Sequence, residues 1–145
     1  DVEWLRRIWK KPLLIKGILH PEDAQKAIDL GVDGIIVSNH GGRQLDGAIA
    51  SINALPDVIG KVGGQIPVLM DGGVRRGSDV VKALSLGATA CLIGRPQLWG
   101  VAIAGQAGVE RILDIYSREI DMAMGLCGAS DISELTPNLT LKRVM

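Results

Sequence analysis

The chain has 145 residues, and its 16 basic and 16 acidic side chains give no net charge, which argues against general electrostatic binding to nucleic acid or anionic membranes. Its length fits one domain, and a hydrophobic content of 47% with 19 glycines fits an α/β fold better than a disordered chain. Because phenylalanine is absent and there is one tyrosine, we expect an aliphatic core.

The two cysteines, Cys91 and Cys127, show neither a metal-ligand spacing nor a disulfide framework, so we predict no metal site. Cys91 lies in an apolar run and is expected to be a small buried hydrophobe. No apolar stretch approaches the roughly 18 residues of a membrane span, and no signal peptide is recognisable. The expected location is cytoplasmic, with peripheral membrane association as the alternative. The chain starts on a charged segment without methionine, so we expect a piece of a longer protein.

The chain opens with a leading segment, 1–11, whose apolar residues have the spacing of a helix over 2–9. A short strand is predicted at 13–17, with Lys16 at its carboxyl end. A lysine in that place either pairs with an anion or extends its ammonium group to the rim of the sheet. The sequence does not choose between these two arrangements.

Three further strands follow, and each predicted strand is succeeded by a helix. The strands are predicted at 34–38, 67–71 and 90–93. The helices are predicted at 21–30, with His20 as a cap rather than a catalyst, at 48–62 with an interruption near Pro56, at 78–86, and at 97–104 and 109–126. The tail, 127–145, is expected to be irregular.

Four strand–helix units make half of a (β/α)8 barrel by strand count. A flavodoxin-like open sheet is the alternative, because four parallel strands also occur in doubly wound folds. The order of the elements alone does not separate these two architectures.

The second strand is followed at once by a cluster of polar residues, SNHGGRQLD at 38–46. In α/β sheets and barrels, ligands bind beyond the carboxyl ends of the strands. His40 can take a proton near neutral pH, and Arg43 offers a planar fork that suits a carboxylate. In the alternative interpretation both side chains only cap neighbouring backbone in a turn. The grouping of so many polar residues after a buried strand favours a functional site.

Two glycine-rich loops, 71–77 and 94–96, follow the third and fourth strands. If the strands are the fifth to eighth of a barrel, these loops lie where barrel enzymes often hold a phosphate. Their glycines permit close backbone approach, and Arg75 and Arg95 supply charge-assisted hydrogen bonds. Ordinary strand–helix turns with solvated arginines are the alternative.

The segment at 38–46 resembles the signature of the FMN-dependent 2-hydroxy acid oxidases and dehydrogenases, which include glycolate and lactate oxidases and flavin lactate and mandelate dehydrogenases. The resemblance runs from Trp4 to about Leu135. It implies that residues 1–145 form the C-terminal half of the family's TIM (β/α)8 barrel, strands 5 to 8 with their helices. It also implies FMN as cofactor and oxidation of an L-2-hydroxy acid to the 2-oxo acid. Oxygen, a quinone or a cytochrome would accept the electrons.

The resemblance assigns roles residue by residue. The family lysine that matches Lys16 stabilises the negative charge of the reduced flavin, and the serine that matches Ser38 contacts the flavin. The histidine that matches His40 is the base, and the arginine that matches Arg43 holds the substrate carboxylate. The family residues around the ribityl chain and the phosphate match Asp71, Gly73, Arg75, Gly94 and Arg95.

The first half of the family barrel supplies further flavin contacts, substrate-binding tyrosines, a second arginine and the carboxylate that orients the catalytic histidine. Asp46 and Asp71 are the only candidates for that carboxylate in this sequence, and a base without its orienting partner loses much of its rate. Turnover by the chain alone is therefore left open. A half-barrel that binds FMN or phosphate without turnover is one alternative. A phosphate-binding barrel of nucleotide metabolism is another, but its cysteine nucleophile has no counterpart here.

A half-barrel has two open apolar edge strands, here 13–17 and 90–93, and such edges recruit partners or aggregate. We therefore expect a homodimer or higher oligomer in which 90–93 of one copy pairs with 13–17 of the next. A complementing N-terminal half of the barrel is the other partner that would close the sheet.

Overall fold

A computed structural model describes residues 1–140, and residues 141–145 of the predicted tail lie outside the described residues. The strands are β1 (Leu14–Ile18), β2 (Gly34–Val37), β3 (Val68–Met70) and β4 (Ala90–Cys91). The helices are α1 (Val2–Ile8), α2 (Pro21–Asp29), α3 (Ser51–Val62), α4 (Gly77–Ser85) and α5 (Arg95–Cys127). Each predicted strand and helix is present within a few residues of its expected bounds. The tail up to residue 140 contains two short 3-10 turns, Ile132–Glu134 and Pro137–Leu139.

The four strands form one parallel sheet in the order β1-β2-β3-β4, which is also their order along the chain. A doubly wound sheet reverses its strand order at a switch point, so that its helices cover both faces. Here each crossover moves one strand further in the same direction, as in a barrel. The flavodoxin-like alternative is therefore excluded, and the sheet is part of a barrel wall.

The sheet has one face against the helices and one concave face. Four residues of β2 and β3, Ile35, Val37, Val68 and Met70, are at most 2% exposed and pack with the inner sides of α2, α3 and α4. Residues that alternate with them, such as Lys16, Ile36 and Leu69, belong to the opposite, concave face. The core therefore lies between the sheet and the helices. On the concave face, polar residues lie near the carboxyl ends of the strands.

The predicted interruption of the third helix near Pro56 is wrong, because α3 is continuous from Ser51 to Val62. A proline at this position removes one backbone hydrogen bond and disfavours the helix. Leu55 and Val58 are fully buried beside it, and this packing outweighs the local preference. The break expected in the last helical region is present as a kink, because the backbone angles of Ala104 and Gly105 are not helical.

Of two side chains outside the site, one differs in degree from the expectation. Cys91 was expected to be buried and is partly buried against the helix-facing core, where burial raises the pKa of its thiol to about 11. The Nδ1 atom of His20 accepts a hydrogen bond from the Glu22 backbone N–H at the start of α2, so His20 is a cap. Within residues 1–140, no helix has the length and apolar character needed to cross a membrane.

Candidate active site

The carboxyl ends of the first three strands bring together Lys16, Ser38 and Asp71. The Lys16 ammonium forms an ion pair with Asp71 Oδ2 at 2.9 Å and donates a hydrogen bond, also of 2.9 Å, to Ser38 Oγ. Of the two arrangements left open for Lys16, the structure therefore has the paired one. An ammonium group has three donors, so one remains for a ligand above the sheet.

Ser38 is fully buried, and its hydroxyl connects the strand ends to the loop after β2. Besides the hydrogen bond from Lys16, Ser38 Oγ accepts one from the His40 backbone N–H at 3.1 Å. Both lone pairs of the hydroxyl are then occupied, and its own proton is left to donate. The position of His40 thus depends on the same hydroxyl that holds the lysine.

His40 has the left-handed backbone conformation, with φ of 55°, and its side chain lies beside Gly17 of β1. A Cβ atom at Gly17 would be 2.8 Å from His40 Nε2, so only glycine leaves room for the ring in this position. Gly17 itself has φ of 103° and sits where the pairing of β1 with β2 shifts by one residue. Sequence reasoning missed Gly17, although a glycine at the end of a strand is a signal for a bulge or a close approach.

Neither candidate carboxylate orients the His40 ring. Asp71 is paired with Lys16, and Asp46 is exposed in the loop. Within residues 1–140, no side chain forms a hydrogen bond to the imidazole of His40. The part of the chain that the structure describes thus places the His40 ring beside Gly17 but supplies no hydrogen bond that orients it.

The first residues of the loop after β2 are held by Asn39 and Ser51, which the sequence analysis gave no role, and by Arg95, which it assigned to the phosphate end. Asn39 Oδ1 accepts a hydrogen bond from the Gly41 backbone N–H, and Ser51 Oγ accepts one from the Asn39 backbone N–H, each at 3.0 Å. Arg95 reaches across from the start of α5 and donates to the Gly41 carbonyl oxygen at 3.0 Å. The signal for Asn39 was the known preference of asparagine for bonding its own backbone two residues on.

Arg43 is exposed, and its guanidinium makes no hydrogen bond or ion pair within the described part of the chain. It lines the same cleft as Lys16 and His40. An unpaired guanidinium beside a cleft can bind a carboxylate in the planar, two-point geometry that this group favours.

At the other end of the site, the loop between β3 and α4 (71–76) is fixed by hydrogen bonds. Asp79 Oδ2 accepts from the backbone N–H groups of Arg75 and Arg76, at 2.9 and 3.0 Å. The Arg75 guanidinium donates to the Val74 carbonyl oxygen and lies 5.4 Å from the centre of the Trp99 ring. These contacts direct the Arg75 side chain towards the start of α5.

One open cleft of about 430 Å³ collects these groups. Eight of the nine predicted site residues line it, namely Lys16, His40, Arg43, Asp71, Gly73, Arg75, Gly94 and Arg95. The ninth, Ser38, is buried and bonds Lys16. Four cationic side chains face one carboxylate in the cleft wall, so the cleft suits an anionic ligand.

The cleft also has features that fit FMN in particular. Asp71 Oδ1 is buried and has no hydrogen-bond partner within residues 1–140, an expensive state that a ligand hydroxyl would relieve. A ribityl chain carries such hydroxyls. At the start of α5, Gly94 and Arg95 offer a helix end that no described side chain caps, and a phosphate suits that place.

The chain belongs to the FMN-dependent dehydrogenase family, whose model matches residues 1–142. It is 52% identical over 135 residues to an L-lactate oxidase of Nostoc sp., covering 93% of this chain and 37% of that protein. It is 56% identical over 138 residues to the peroxisomal (S)-2-hydroxyacid oxidase GLO3 of Arabidopsis thaliana, covering 95% of this chain and 38% of that one. The chain thus spans less than two fifths of the length of these relatives.

The fold agrees with a solved structure of mandelate oxidase with (S)-mandelic acid, with a TM-score of 0.90 and 48% identity. The match covers 94% of this chain and 41% of that one. The predicted fold class is therefore confirmed as part of a TIM barrel, as the strand order requires. That these strands are the fifth to eighth of the barrel stays a prediction.

Proposed function

We propose that the protein containing this chain uses FMN to oxidise an L-2-hydroxy acid to the 2-oxo acid. The observation that carries the proposal is one cleft in which His40 and the unpaired Arg43 lie beside the Lys16–Asp71 pair. Membership in the FMN-dependent dehydrogenase family and the 2-hydroxy acid oxidases among the relatives support it.

In this proposal the loop after β2 handles the substrate. Arg43 binds the substrate carboxylate with two parallel hydrogen bonds and thereby fixes which carbon faces His40. His40 removes a proton from the 2-hydroxy acid as the substrate is oxidised. His40 is exposed and lines the cleft, with its ring beside Gly17. FMN, when bound, supplies the acceptor for the two electrons that leave the substrate.

The strand ends and the two glycine-rich loops would hold the cofactor. Lys16 keeps a positive charge at the end of β1, where it favours an anionic ring system, and Ser38 fixes its ammonium group. Asp71 accepts a hydrogen bond from a ribityl hydroxyl through its unpartnered Oδ1. Arg75 and Arg95 bind the phosphate, and Gly73 and Gly94 let the backbone approach it closely.

A half-barrel that binds FMN without turnover is the second candidate. The observation that favours it is the absence of a hydrogen-bonding partner for the His40 ring within residues 1–140. An imidazole that is not oriented is a poor base. The two candidates differ in whether the chain by itself can carry out the proton transfer.

Anaerobic bleaching of the flavin tests both candidates. The 145-residue chain and the full-length protein are loaded with FMN, and the flavin absorbance is followed after addition of lactate, glycolate or mandelate without oxygen. We expect the full-length protein to bleach with at least one of these acids. A chain that binds FMN but does not bleach would be a binding module. A full-length protein that holds FMN and bleaches with no 2-hydroxy acid would contradict the proposed reaction.

We also propose that the sheet is completed by a partner. Within residues 1–140, β1 and β4 each pair with only one other strand, so each has an open edge. Leu14 of β1 is 41% exposed, as expected of an uncovered barrel wall. A second copy, or the complementing N-terminal half of the barrel, would close the sheet. Sedimentation of the 145-residue chain at micromolar concentration tests this proposal, and a compact, stable monomer would contradict it.

A further inference from the structure

The β3–α4 loop is anchored by the second half of α5, through two residues with no assigned role. Tyr116 is buried, and its hydroxyl donates to the Val74 carbonyl oxygen at 3.1 Å. Glu119 Oε2 accepts a hydrogen bond from the Gly77 backbone N–H at 2.8 Å, and Glu119 Oε1 lies 3.7 Å from the Arg76 guanidinium. The loop that carries Arg75 is therefore fixed to α5 at both of these points.

Glu119 reaches Gly77 because α4 and α5 approach unusually closely there. A Cβ atom at Gly77 would overlap the backbone of Glu119 and Ile120, so only glycine permits this contact. The close approach buries Gly77 and puts its N–H group against the carboxylate of the neighbouring helix. The hydrogen bond is thus a consequence of the helix packing and not of a flexible surface side chain.

The Glu119–Gly77 hydrogen bond affects which helix start has free backbone N–H groups for an anion. Backbone N–H groups at a helix start attract phosphates and carboxylates. At α4 the N–H groups of Arg75 and Arg76 are taken by Asp79, and that of Gly77 is taken by Glu119. At α5, by contrast, no side chain of the described residues caps the helix start.

We propose that Glu119 is a positioning residue for the FMN phosphate. It occupies the first N–H group of α4, that of Gly77, and holds the loop so that Arg75 points to the start of α5. The phosphate is then bound between Arg75 and the Gly94–Arg95 backbone. This inference rests on the proposed function, because it assumes that the cleft binds FMN.

The proposal predicts that the preference for FMN over riboflavin depends on the reach of the residue at 119 and not on its charge. Riboflavin lacks the phosphate, so it serves as an internal control for the rest of the cleft. Glu119→Gln keeps an oxygen within reach of the Gly77 N–H but removes the charge. Glu119→Asp keeps the charge but withdraws the carboxylate by one methylene group, and Glu119→Ala removes both.

The experiment measures dissociation constants of FMN and riboflavin for the full-length protein by quenching of flavin fluorescence. We expect Glu119→Ala and Glu119→Asp to lower FMN affinity about tenfold, the value of one charge-assisted hydrogen bond, and to leave riboflavin affinity unchanged. Glu119→Gln should bind both flavins like the wild type. Glu110→Ala is the matched control, because Glu110 lies on the same helix and bonds only Gln106 among the described residues.

The outcomes separate this inference from the proposed function. A wild type that prefers FMN strongly, with a preference that Glu119→Ala and Glu119→Asp leave intact, would overturn the inference alone. An equal loss of affinity for FMN and riboflavin would also overturn it, because that pattern indicates general destabilisation. A wild type that binds FMN no better than riboflavin would overturn the proposed FMN site and the inference with it. If Glu119→Ala does not fold, Glu119→Asp and Glu119→Gln still give the comparison of reach with charge.

Discussion

The two loops that border the cleft differ in how firmly the described residues hold them. The β3–α4 loop is fixed from below by the Asp71–Lys16 pair, from within by Asp79, and from α5 by Tyr116 and Glu119. In the loop after β2, side-chain hydrogen bonds hold His40, Gly41 and Ile49, whereas no described side chain bonds the backbone from Arg43 to Asp46.

From Arg43 to Asp46, by contrast, every residue of the loop after β2 is exposed. Leu45, a large apolar residue of this segment, is 68% exposed. The described residues therefore hold the β3–α4 loop, the proposed phosphate end of the cleft, more firmly than residues 43–46, at the proposed substrate end. A variant in each loop tests this difference.

His40→Ala should have the largest effect, because it removes the proposed base from the open loop. We expect turnover of the full-length protein to fall by a factor of about 10² to 10⁴, the usual contribution of general base catalysis. Bound FMN should be retained, because the proposed phosphate contacts lie in the β3–α4 loop and at the start of α5. Steady-state turnover and the flavin absorbance per protein measure the two effects. Near-normal turnover in a protein that keeps its flavin would show that His40 is not the base.

Lys16→Met tests the ion pair under the cleft. Removing a cation from the end of β1 should make the flavin harder to reduce, with a potential lower by roughly 30–60 mV, since about 30 mV corresponds to a tenfold change for a two-electron couple. Lys16→Arg keeps the charge and should show a smaller change. A potentiometric titration measures both variants, and an unchanged potential in Lys16→Met would remove the residue from the flavin site.

The strands and the residues that line the cleft were largely predictable from the sequence. Short, mainly apolar runs identified all four strands, and the motif at 38–46 identified the loop that carries His40 and Arg43. Eight of the residues that line the cleft were named beforehand, because they lie at or beyond predicted strand ends and match family site residues.

The supporting contacts were not predictable, because they join distant parts of the chain. The Tyr116–Val74 and Glu119–Gly77 hydrogen bonds each span 42 residues, and the contact of His40 with Gly17 depends on a bulge in β1. The prediction that Pro56 interrupts α3 was wrong for the same reason. The neighbouring residues are buried by contacts with other parts of the chain, and these contacts stabilise the helix. Local patterns thus identify residues that end strands, but not the residues that hold them.

Arg43→Lys is a second test of the loop after β2, with a smaller expected effect than His40→Ala. A lysine keeps the charge but cannot form two parallel hydrogen bonds to a carboxylate, so KM for the 2-hydroxy acid should rise about tenfold and kcat should change less. The amide of the same hydroxy acid is the control ligand. It lacks the carboxylate, so its inhibition constant should be similar for both proteins. A KM equal to that of the wild type would contradict the proposed carboxylate contact.

Tyr116→Phe tests the anchored loop and should have the smallest effect. The substitution keeps the ring in its buried place and removes only the hydroxyl, which leaves the Val74 carbonyl oxygen without its donor. We expect a loss of about 1 kcal/mol in the free energy of unfolding. Turnover at saturating FMN should change little, because the β3–α4 loop retains its contacts with Asp79 and Glu119.

The pH dependence of the stability difference between the wild type and Tyr116→Phe tests this prediction. Burial raises the pKa of the Tyr116 phenol above its ordinary value of 10.0, so the folded protein favours the protonated form, which donates to Val74. Below pH 10 the phenol is protonated in both states and the stabilisation is complete. As the pH rises from 10 through the folded-state pKa, the unfolded chain ionises first and the wild type loses this stability, whereas Tyr116→Phe does not. Melting temperatures of the two proteins should therefore converge above pH 10, and equal melting temperatures below pH 10 would show that the hydroxyl does not stabilise the loop.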